Sequence, residues 1–138
     1  TAMDLLKADR LDHCYTIIDN PELVKIAKDR DFIFTVVPTN SYYLRTFTDE
    51  EWAIKQPIGK MVEMGLCVHP NTDDPTMHHV NATQTWMLMY NFLNFSLDQL
   101  KGFMLNGIDG AWIDEATKQK WKKEWSEEFD ELVKKFPT

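Results

Sequence analysis

The chain of 138 residues has the size of a single domain, and its 43% hydrophobic and 12% aromatic content is enough for a packed core. A formal net charge of −7 argues against nucleic acid or an anionic membrane as the default partner. No apolar run approaches the roughly 18–20 residues of a membrane span, and no secretory signal is visible. A cytoplasmic location is the working expectation, although the missing signal does not decide the compartment.

The first residues form an apolar pattern without a visible beginning. Ala2, Met3, Leu5, Leu6 and Ala8 have the spacing of the last turns of an amphipathic helix, yet no N-cap residue precedes them. We therefore expect that the native protein does not start here.

The two cysteines lie in different segments of the sequence. Cys14 and Cys67 both occur in apolar, strand-like runs. This setting indicates buried free thiols, although a disulfide stays possible from the sequence alone.

Strand and helix patterns alternate along the chain. The predicted strands are Leu11–Ile18, Phe32–Val37 and Leu66–His69. The predicted helices run from Asn20-Pro21 to Asp29-Arg30, over Pro57–Met64, over Ala82–Leu93, from the Ser96 cap onward, and over Asp114–Phe136. A Thr48–Glu51 capping-box pattern predicts one further short helix. Alternation of this kind predicts an α/β fold with a parallel sheet and right-handed crossovers.

The last predicted helix carries a stripe of large apolar residues. The stripe consists of Trp121, Trp125, Phe129, Leu132, Val133 and Phe136. At helical spacing, such a stripe is more typical of packing than of a ligand-binding surface.

The stretch His69–Pro75 places Asp73 and Asp74 side by side just after a buried strand. Two like charges near a low-dielectric region repel and raise each other's pKa, a cost that a metal ion or hydrogen-bonding ligand would remove. Asn, Thr, Asp and Pro also favour an ordinary surface turn, so the stretch alone leaves both interpretations open.

The ends of the other predicted strands favour the functional interpretation. The first strand leads into Asp12-His13, the second into Thr39-Asn40-Ser41 and the third into Asp73-Asp74. Sites in parallel α/β folds form at the carboxyl ends of the strands. His13 by itself would be read as a core histidine, but polar residues after three strands predict a site on this edge.

Several of these segments together resemble the adenosine/adenine deaminase family. The resemblance rests on Arg10–Cys14 as an arginine–x–x–histidine motif, on Val37–Ser41, on Asn71–Pro75, and on Asn106–Ile108 with Ile113–Glu115 near the end. The aspartate motif is specific, and the others are supportive. The family consists of zinc-dependent amidohydrolase-type (β/α)₈ barrels.

The resemblance covers only part of that barrel. A (β/α)₈ barrel typically takes about 250 residues, so residues 1–138 would be the C-terminal portion of one deaminase barrel domain, with about three βα units plus terminal helices. The N-terminal zinc-binding histidines and the catalytic glutamate of the family would lie in a portion outside this chain. By itself the chain would not be a catalyst.

The resemblance also implies roles for three residues. Asp73 would be the carboxylate ligand of Zn²⁺ and would orient the metal-bound water, and Asp74 would hydrogen-bond a ring nitrogen of the purine. His13 would stand beside the metal-bound hydroxide. Zinc accepts carboxylate oxygen and imidazole nitrogen as ligands and lowers the pKa of bound water to roughly 7.

The resemblance further implies a reaction and its partners. The implied reaction is hydrolytic deamination of adenosine, or of a related adenine nucleoside, to the inosine-type product and ammonia. The implied partners are the purine substrate and the missing part of the barrel, with no nucleic acid and no membrane.

Two alternatives remain open from the sequence. A catalytically inactive relative could keep this portion and bind a nucleoside or a protein. Another amidohydrolase could also place an aspartate at this strand, but such enzymes usually have one aspartate there, and Asn71-Thr72 with Asp74 argue against this class.

The chain departs from the family pattern near the motifs. Asp12 and Cys14 flank the histidine where small residues are usual, and Gln56 stands where a histidine often precedes the proline. His69-Pro70 occupies positions that are normally apolar or small. These departures concern the choice of substrate more than the chemistry.

Overall fold

A three-stranded parallel sheet lies at the centre of the fold. The computed structural model describes residues 2–39, 48, 51 and 55–136. The strands pair in the order β1–β2–β3, all parallel, and comprise β1 (Arg10–Asp12), β2 (Ile33–Val36) and β3 (Cys67–Pro70). The predicted parallel α/β sheet is therefore confirmed.

Helices connect and follow these strands. A 3₁₀-helix (Tyr15–Asp19) and α1 (Pro21–Asp29) lead from β1 to β2, and α2 (Pro57–Glu63) precedes β3. Four helices follow the sheet: α3 (Pro75–His78), α4 (Ala82–Asn91), α5 (Leu97–Asp109) and α6 (Glu115–Lys135).

The helix boundaries follow local capping chemistry that the sequence predicts. The Asn20 side chain accepts a hydrogen bond from the Leu23 amide at 3.1 Å, with Pro21 at the first helical position. Ser96 and Gln99 form a reciprocal capping box at the start of α5. Thr48 and Glu51 exchange the same pair of hydrogen bonds, at 3.3 Å each.

Strand β2 is buried along its whole length. All four of its residues are buried, and Phe34 and Val36 are fully enclosed in the core cluster. Burial on both faces is the reason that this segment is a continuous apolar run rather than an alternating one. The same cluster contains Ala27 of α1 and Met61 of α2.

The first predicted strand, Leu11–Ile18, is wrong in its extent. Strand β1 ends at Asp12, because His13 (φ 59°) and Cys14 (φ 52°) adopt left-handed backbone conformations that no strand can contain. The following residues form the 3₁₀-helix, which places Ile17 in the core. Packing thus overrides the β-propensity of this segment.

The predicted helical turns at Ala2–Ala8 are also wrong. Residues 2–5 form turns instead of a helix. Met3 is buried, whereas Leu5 and Leu6 are 82% and 79% exposed, so the apolar residues do not share one covered face.

The stripe on α6 is only partly covered: Trp121, Phe129 and Val133 are half-buried, and the other three residues are exposed. The helix forms as expected, but it has no buried residue, and Trp125, Leu132 and Phe136 are 40%, 49% and 64% exposed. Trp121 and Trp125 stack on each other with their ring centroids 5.2 Å apart. The contacts of α6 with α5 include ion pairs, Lys101–Asp130 at 2.6 Å and Lys122–Asp109 at 2.5 Å.

None of the described helices is both long enough and apolar enough to cross a membrane.

Helix α5 packs tightly against the imidazole of His69. A Cβ atom added at Gly107 would lie only 2.4 Å from His69 ring atoms, a distance that requires something to move. Gly102 on the same helix has no atom within 4 Å of such a Cβ. The close approach of α5 to β3 therefore depends on the glycine at position 107.

We predict that Gly107→Ala destabilises the protein by about 1–3 kcal/mol, because the new methyl group overpacks a closed contact. The matched variant Gly102→Ala should be neutral, or stabilising by up to about 1 kcal/mol, since alanine is the better helix former. Urea unfolding at equilibrium measures both changes. His69→Ser should relieve the Gly107→Ala defect, and equal effects of the two glycine substitutions would contradict the contact.

Candidate active site

The ends of β1 and β3 are both attached to the central strand. The His13 amide donates to the Thr35 carbonyl at 2.8 Å, and the Asn71 amide donates to the Val36 carbonyl at 2.8 Å. These bonds continue the sheet ladder one residue beyond each strand. The segments that follow β1 and β3 therefore lie on either side of β2.

This arrangement brings His13 and Asp73 together, as predicted. His13 Nε2 lies 3.7 Å from Asp73 Oδ2, and the two side chains are 41% and 31% exposed. Asp73 has a left-handed backbone (φ 54°), and its amide donates to Asn71 Oδ1 at 2.7 Å. The partly exposed carboxylate and imidazole thus share one edge of the sheet with access to solvent.

The neighbouring predicted residues occupy the same edge in different ways. Asp74 is exposed and is the N-cap residue of the short helix α3, without a side-chain capping bond. Thr39 is buried, and its hydroxyl has no hydrogen-bond partner in the part of the chain that the structure describes. Asn40 and Ser41 lie outside the described residues.

Asp12 lies beside the candidate site and is hydrogen-bonded to two neighbouring side chains. Its carboxylate accepts hydrogen bonds from the Thr35 hydroxyl and from Arg10 Nε, the latter at 3.1 Å. Burial acts to raise the pKa of Asp12, but the hydrogen bonds from Thr35 and Arg10 outweigh it and hold the pKa below its ordinary value of 3.8. Asp12 is therefore a charged partner of Arg10 rather than a group that faces Asp73.

Tyr15 is a further residue at this edge that the sequence pattern does not identify, because it lies within the predicted strand Leu11–Ile18. Its hydroxyl accepts a hydrogen bond from the Val37 amide at 2.8 Å and donates to the Val37 carbonyl at 3.3 Å. Its ring meets the imidazole of His13 edge to face, with centroids 6.0 Å apart. Burial, together with the negative charge of Asp73, raises the pKa of Tyr15 to about 12 against the opposing Val37 hydrogen bond. A tyrosine two positions after the histidine is the signal that could have identified it.

Gln56 supports the segment that follows β2. It is buried, and its Nε2 donates to the Pro38 carbonyl at 3.2 Å. The residue that departs from the family pattern at this position therefore attaches the start of α2 to the edge of the site.

His69, in strand β3, is another residue that departs from the family pattern, and its side chain contacts α5. Its Nδ1 is 3.0 Å from the Phe103 carbonyl, which can only accept, so Nδ1 carries the proton. Burial lowers the pKa of His69 from its ordinary value of 6.5, and nearby Arg10 adds to the effect, while the Phe103 bond opposes it. Next to His69 is an open cavity of about 330 Å³ whose polar lining includes Arg10, Thr35 and Asn71.

Both cysteines are free thiols, as predicted, and both are half-buried rather than fully buried. Burial raises the pKa of Cys14 and of Cys67 above the ordinary value of 9.0. Neither is activated as a thiolate nucleophile.

The described residues supply only part of a metal site. They contain no group of three or more His, Cys, Asp or Glu side chains that could hold a metal ion. Catalytic zinc takes three protein ligands and keeps one open position. The carboxylate of Asp73 has the right chemistry and exposure for one ligand, so any zinc here needs further ligands from outside the described residues.

Comparison with known proteins gives one consistent family. The chain matches the family described as adenosine deaminase over residues 1–127. It is 27% identical to an adenine deaminase of Rhizobium meliloti, covering 86% of this chain and 36% of that protein. It is also 27% identical to an adenosine deaminase of Plasmodium gallinaceum, covering 89% of this chain and 33% of that protein.

A solved structure extends the comparison to the fold. An amidohydrolase from Burkholderia ambifaria with bound Zn superimposes with a TM-score of 0.94 at 55% identity, over 98% of this chain and 37% of that one. The predicted fold class is thereby confirmed: the sheet and its helices match part of an amidohydrolase-type barrel. The chain spans about a third of the length of these relatives.

We predict that stability falls as the pH drops below about 6.5, because the unfolded chain binds a proton at His69 more readily than the folded chain does. The loss should continue until the pH has passed the lowered pKa of the folded state. Urea unfolding between pH 7.5 and pH 5 measures the slope. His69→Asn removes the titrating group and should flatten this part of the profile, whereas an unchanged slope would show that His69 is not its source.

Proposed function

Since this chain belongs to the adenosine deaminase family, we propose that it is the C-terminal portion of a zinc-dependent barrel that deaminates adenosine or a related adenine nucleoside. The substrate would be hydrolysed to the inosine-type product and ammonia. The rest of the barrel would come from a portion of the protein outside residues 1–138.

One observation carries the proposal. The imidazole of His13 and the carboxylate of Asp73 face each other at 3.7 Å, at the carboxyl edge of a parallel sheet. This edge is the position at which barrel enzymes assemble their active sites. The two groups come from segments on opposite sides of β2, so their meeting is a property of the fold and not of a local turn.

Asp73 is the residue that would hold zinc. Its carboxylate is partly exposed, and the hydrogen bond from its own amide to Asn71 keeps the segment in the left-handed turn that presents it. The amidohydrolase that superimposes on this chain was solved with bound Zn, which supports a metal in the complete protein. When bound, zinc would act as a Lewis acid that makes water nucleophilic at neutral pH.

His13 and Asp74 would act on the reactants. His13 Nε2 lies 3.7 Å from Asp73 Oδ2, where it can accept a proton from the attacking water. A C–O bond would then form at C6 of the purine, the proton held by His13 would pass to the amine nitrogen, and the C–N bond would break to release ammonia. Asp74, exposed next to Asp73, would hold a ring nitrogen of the base by a hydrogen bond.

The function itself is tested on the longer protein that we propose contains this chain. Ammonia release with adenosine and with adenine, together with the zinc content, would be measured on the purified protein. Turnover of either compound with about one zinc per chain supports the proposal, and the ratio of the two rates identifies the substrate. A zinc-loaded protein without turnover of any purine amine would instead favour the inactive, binding-only relative.

We predict that Asp73→Asn loses zinc and activity together, because an amide is a poor zinc ligand although asparagine tolerates the φ of 54° at this position. Asp74→Ala should retain zinc while kcat/KM for the purine falls, because this change removes a contact to the base. Asp98→Asn, at an exposed aspartate in the first turn of α5, is the matched control that should keep both properties. Full zinc content in Asp73→Asn would refute the ligand assignment.

His13→Asn should retain zinc while turnover falls by roughly 10²–10⁴-fold, the usual size of a positioned acid–base contribution. Asparagine is chosen because His13 has a φ of 59°, which asparagine adopts more readily than alanine. His79→Asn, at an exposed histidine with a φ of 51°, is the matched control and should retain turnover. Loss of the metal from His13→Asn would make His13 a ligand and exclude the proposed role.

A further inference from the structure

We infer that Tyr15 is a positioning residue that holds the imidazole of His13 in its place opposite Asp73. The inference rests on the proposed function, and it assigns to Tyr15 a role in turnover that acts through His13. It is carried by two sets of contacts at this side chain and by the backbone conformation of the residues that precede it.

The first set joins the ends of two strands. Tyr15 lies after β1, and its hydroxyl makes two hydrogen bonds to Val37, the residue that follows β2. The hydroxyl accepts from the Val37 amide at 2.8 Å and donates to the Val37 carbonyl at 3.3 Å. A hydroxyl that satisfies both backbone groups of one residue fixes the distance between the two chain segments. Tyr15 therefore ties the segment carrying His13 to the segment after β2.

The second set acts on the imidazole directly. The rings of Tyr15 and His13 lie edge to face, with centroids 6.0 Å apart and an interplanar angle of 79°. Such pairs are favourable and directional. The side chain of His13 is 41% exposed, so few protein atoms restrict the position of its ring. The contact with the ring of Tyr15 is one such restriction.

The third observation concerns the backbone between the two residues. His13 and Cys14 both have left-handed conformations, with φ of 59° and 52°. Two consecutive non-glycine residues in this region persist only where the surroundings hold them. The His13 amide is held by the Thr35 carbonyl at 2.8 Å, and the Tyr15 hydroxyl holds the other end of the turn. Loss of the hydroxyl would release one of these two attachments.

The negative charge of Asp73 also acts on Tyr15. This charge contributes to the raised pKa of Tyr15, about 12, which keeps the phenol protonated and able to donate over the whole working range of pH. Tyr15 thus acts as a neutral support and does not exchange protons with the substrate.

The test uses Tyr15→Phe in the longer protein that we propose contains this chain, because this change keeps the ring and removes the hydroxyl. We expect kcat to fall about 10-fold or more, with the zinc content unchanged and KM changed less than kcat. Tyr15→Leu removes the ring as well and should lower kcat further. Tyr90→Phe, at a half-buried tyrosine on α4, is the matched control and should leave kcat unchanged.

A double-mutant cycle distinguishes positioning from general stability. If Tyr15 acts through His13, Tyr15→Phe should have almost no further effect on kcat in the His13→Asn background. Equal fold losses in both backgrounds, or an unchanged kcat in Tyr15→Phe itself, would overturn the inference. Because the parent enzyme must first release ammonia from a purine, failure of the proposed function would show in the parent and failure of this inference only in the variants.

Discussion

The extension of the ladder on both sides of β2 is the constraint on which the candidate site depends. Two consecutive carbonyls of this buried strand accept hydrogen bonds from its two neighbours. The Thr35 carbonyl accepts from the His13 amide on one side, and the Val36 carbonyl accepts from the Asn71 amide on the other. Parallel pairing sets both segments at the same height, so the residues that follow emerge at one edge. This register is difficult to shift, because a slip would break the hydrogen bonds on both sides of β2 and misplace the close-packed side chains of Phe34 and Val36.

Backbone conformation then directs the side chains at that edge. His13, Cys14 and Asp73 are non-glycine residues with positive φ, a conformation that costs of order 1–2 kcal/mol per residue. Each is held by identifiable hydrogen bonds: the His13 amide by Thr35, the Asp73 amide by Asn71, and the segment after Cys14 by the Tyr15 hydroxyl. Among the described residues, seven non-glycine residues have positive φ, and three of them lie at this edge.

The residues in which this chain departs from its family resemblance have partners within the chain. Asp12 is paired with Arg10 and Thr35, and Gln56 holds the Pro38 carbonyl. The ring of His69 lies in a space that exists because position 107 is a glycine, and its proton is fixed by the Phe103 carbonyl. These three residues therefore contact the segments around the site, while His13 and Asp73 face each other at its edge.

The amino-acid sequence by itself determined the features that depend on local pattern. Caps such as Asn20 and Ser96, the buried run of β2 and the polar residues after each strand can all be read from neighbouring residues, and they led to the parallel sheet and to His13 and Asp73. Tertiary structure alone decided where β1 ends, that the segment from Tyr15 is a 3₁₀-helix whose first residue contacts His13, and that the stripe on α6 is only partly covered. The physical reason is that propensity and periodicity describe what a segment can form, whereas contacts between segments distant in the chain select one conformation and decide which apolar face is covered.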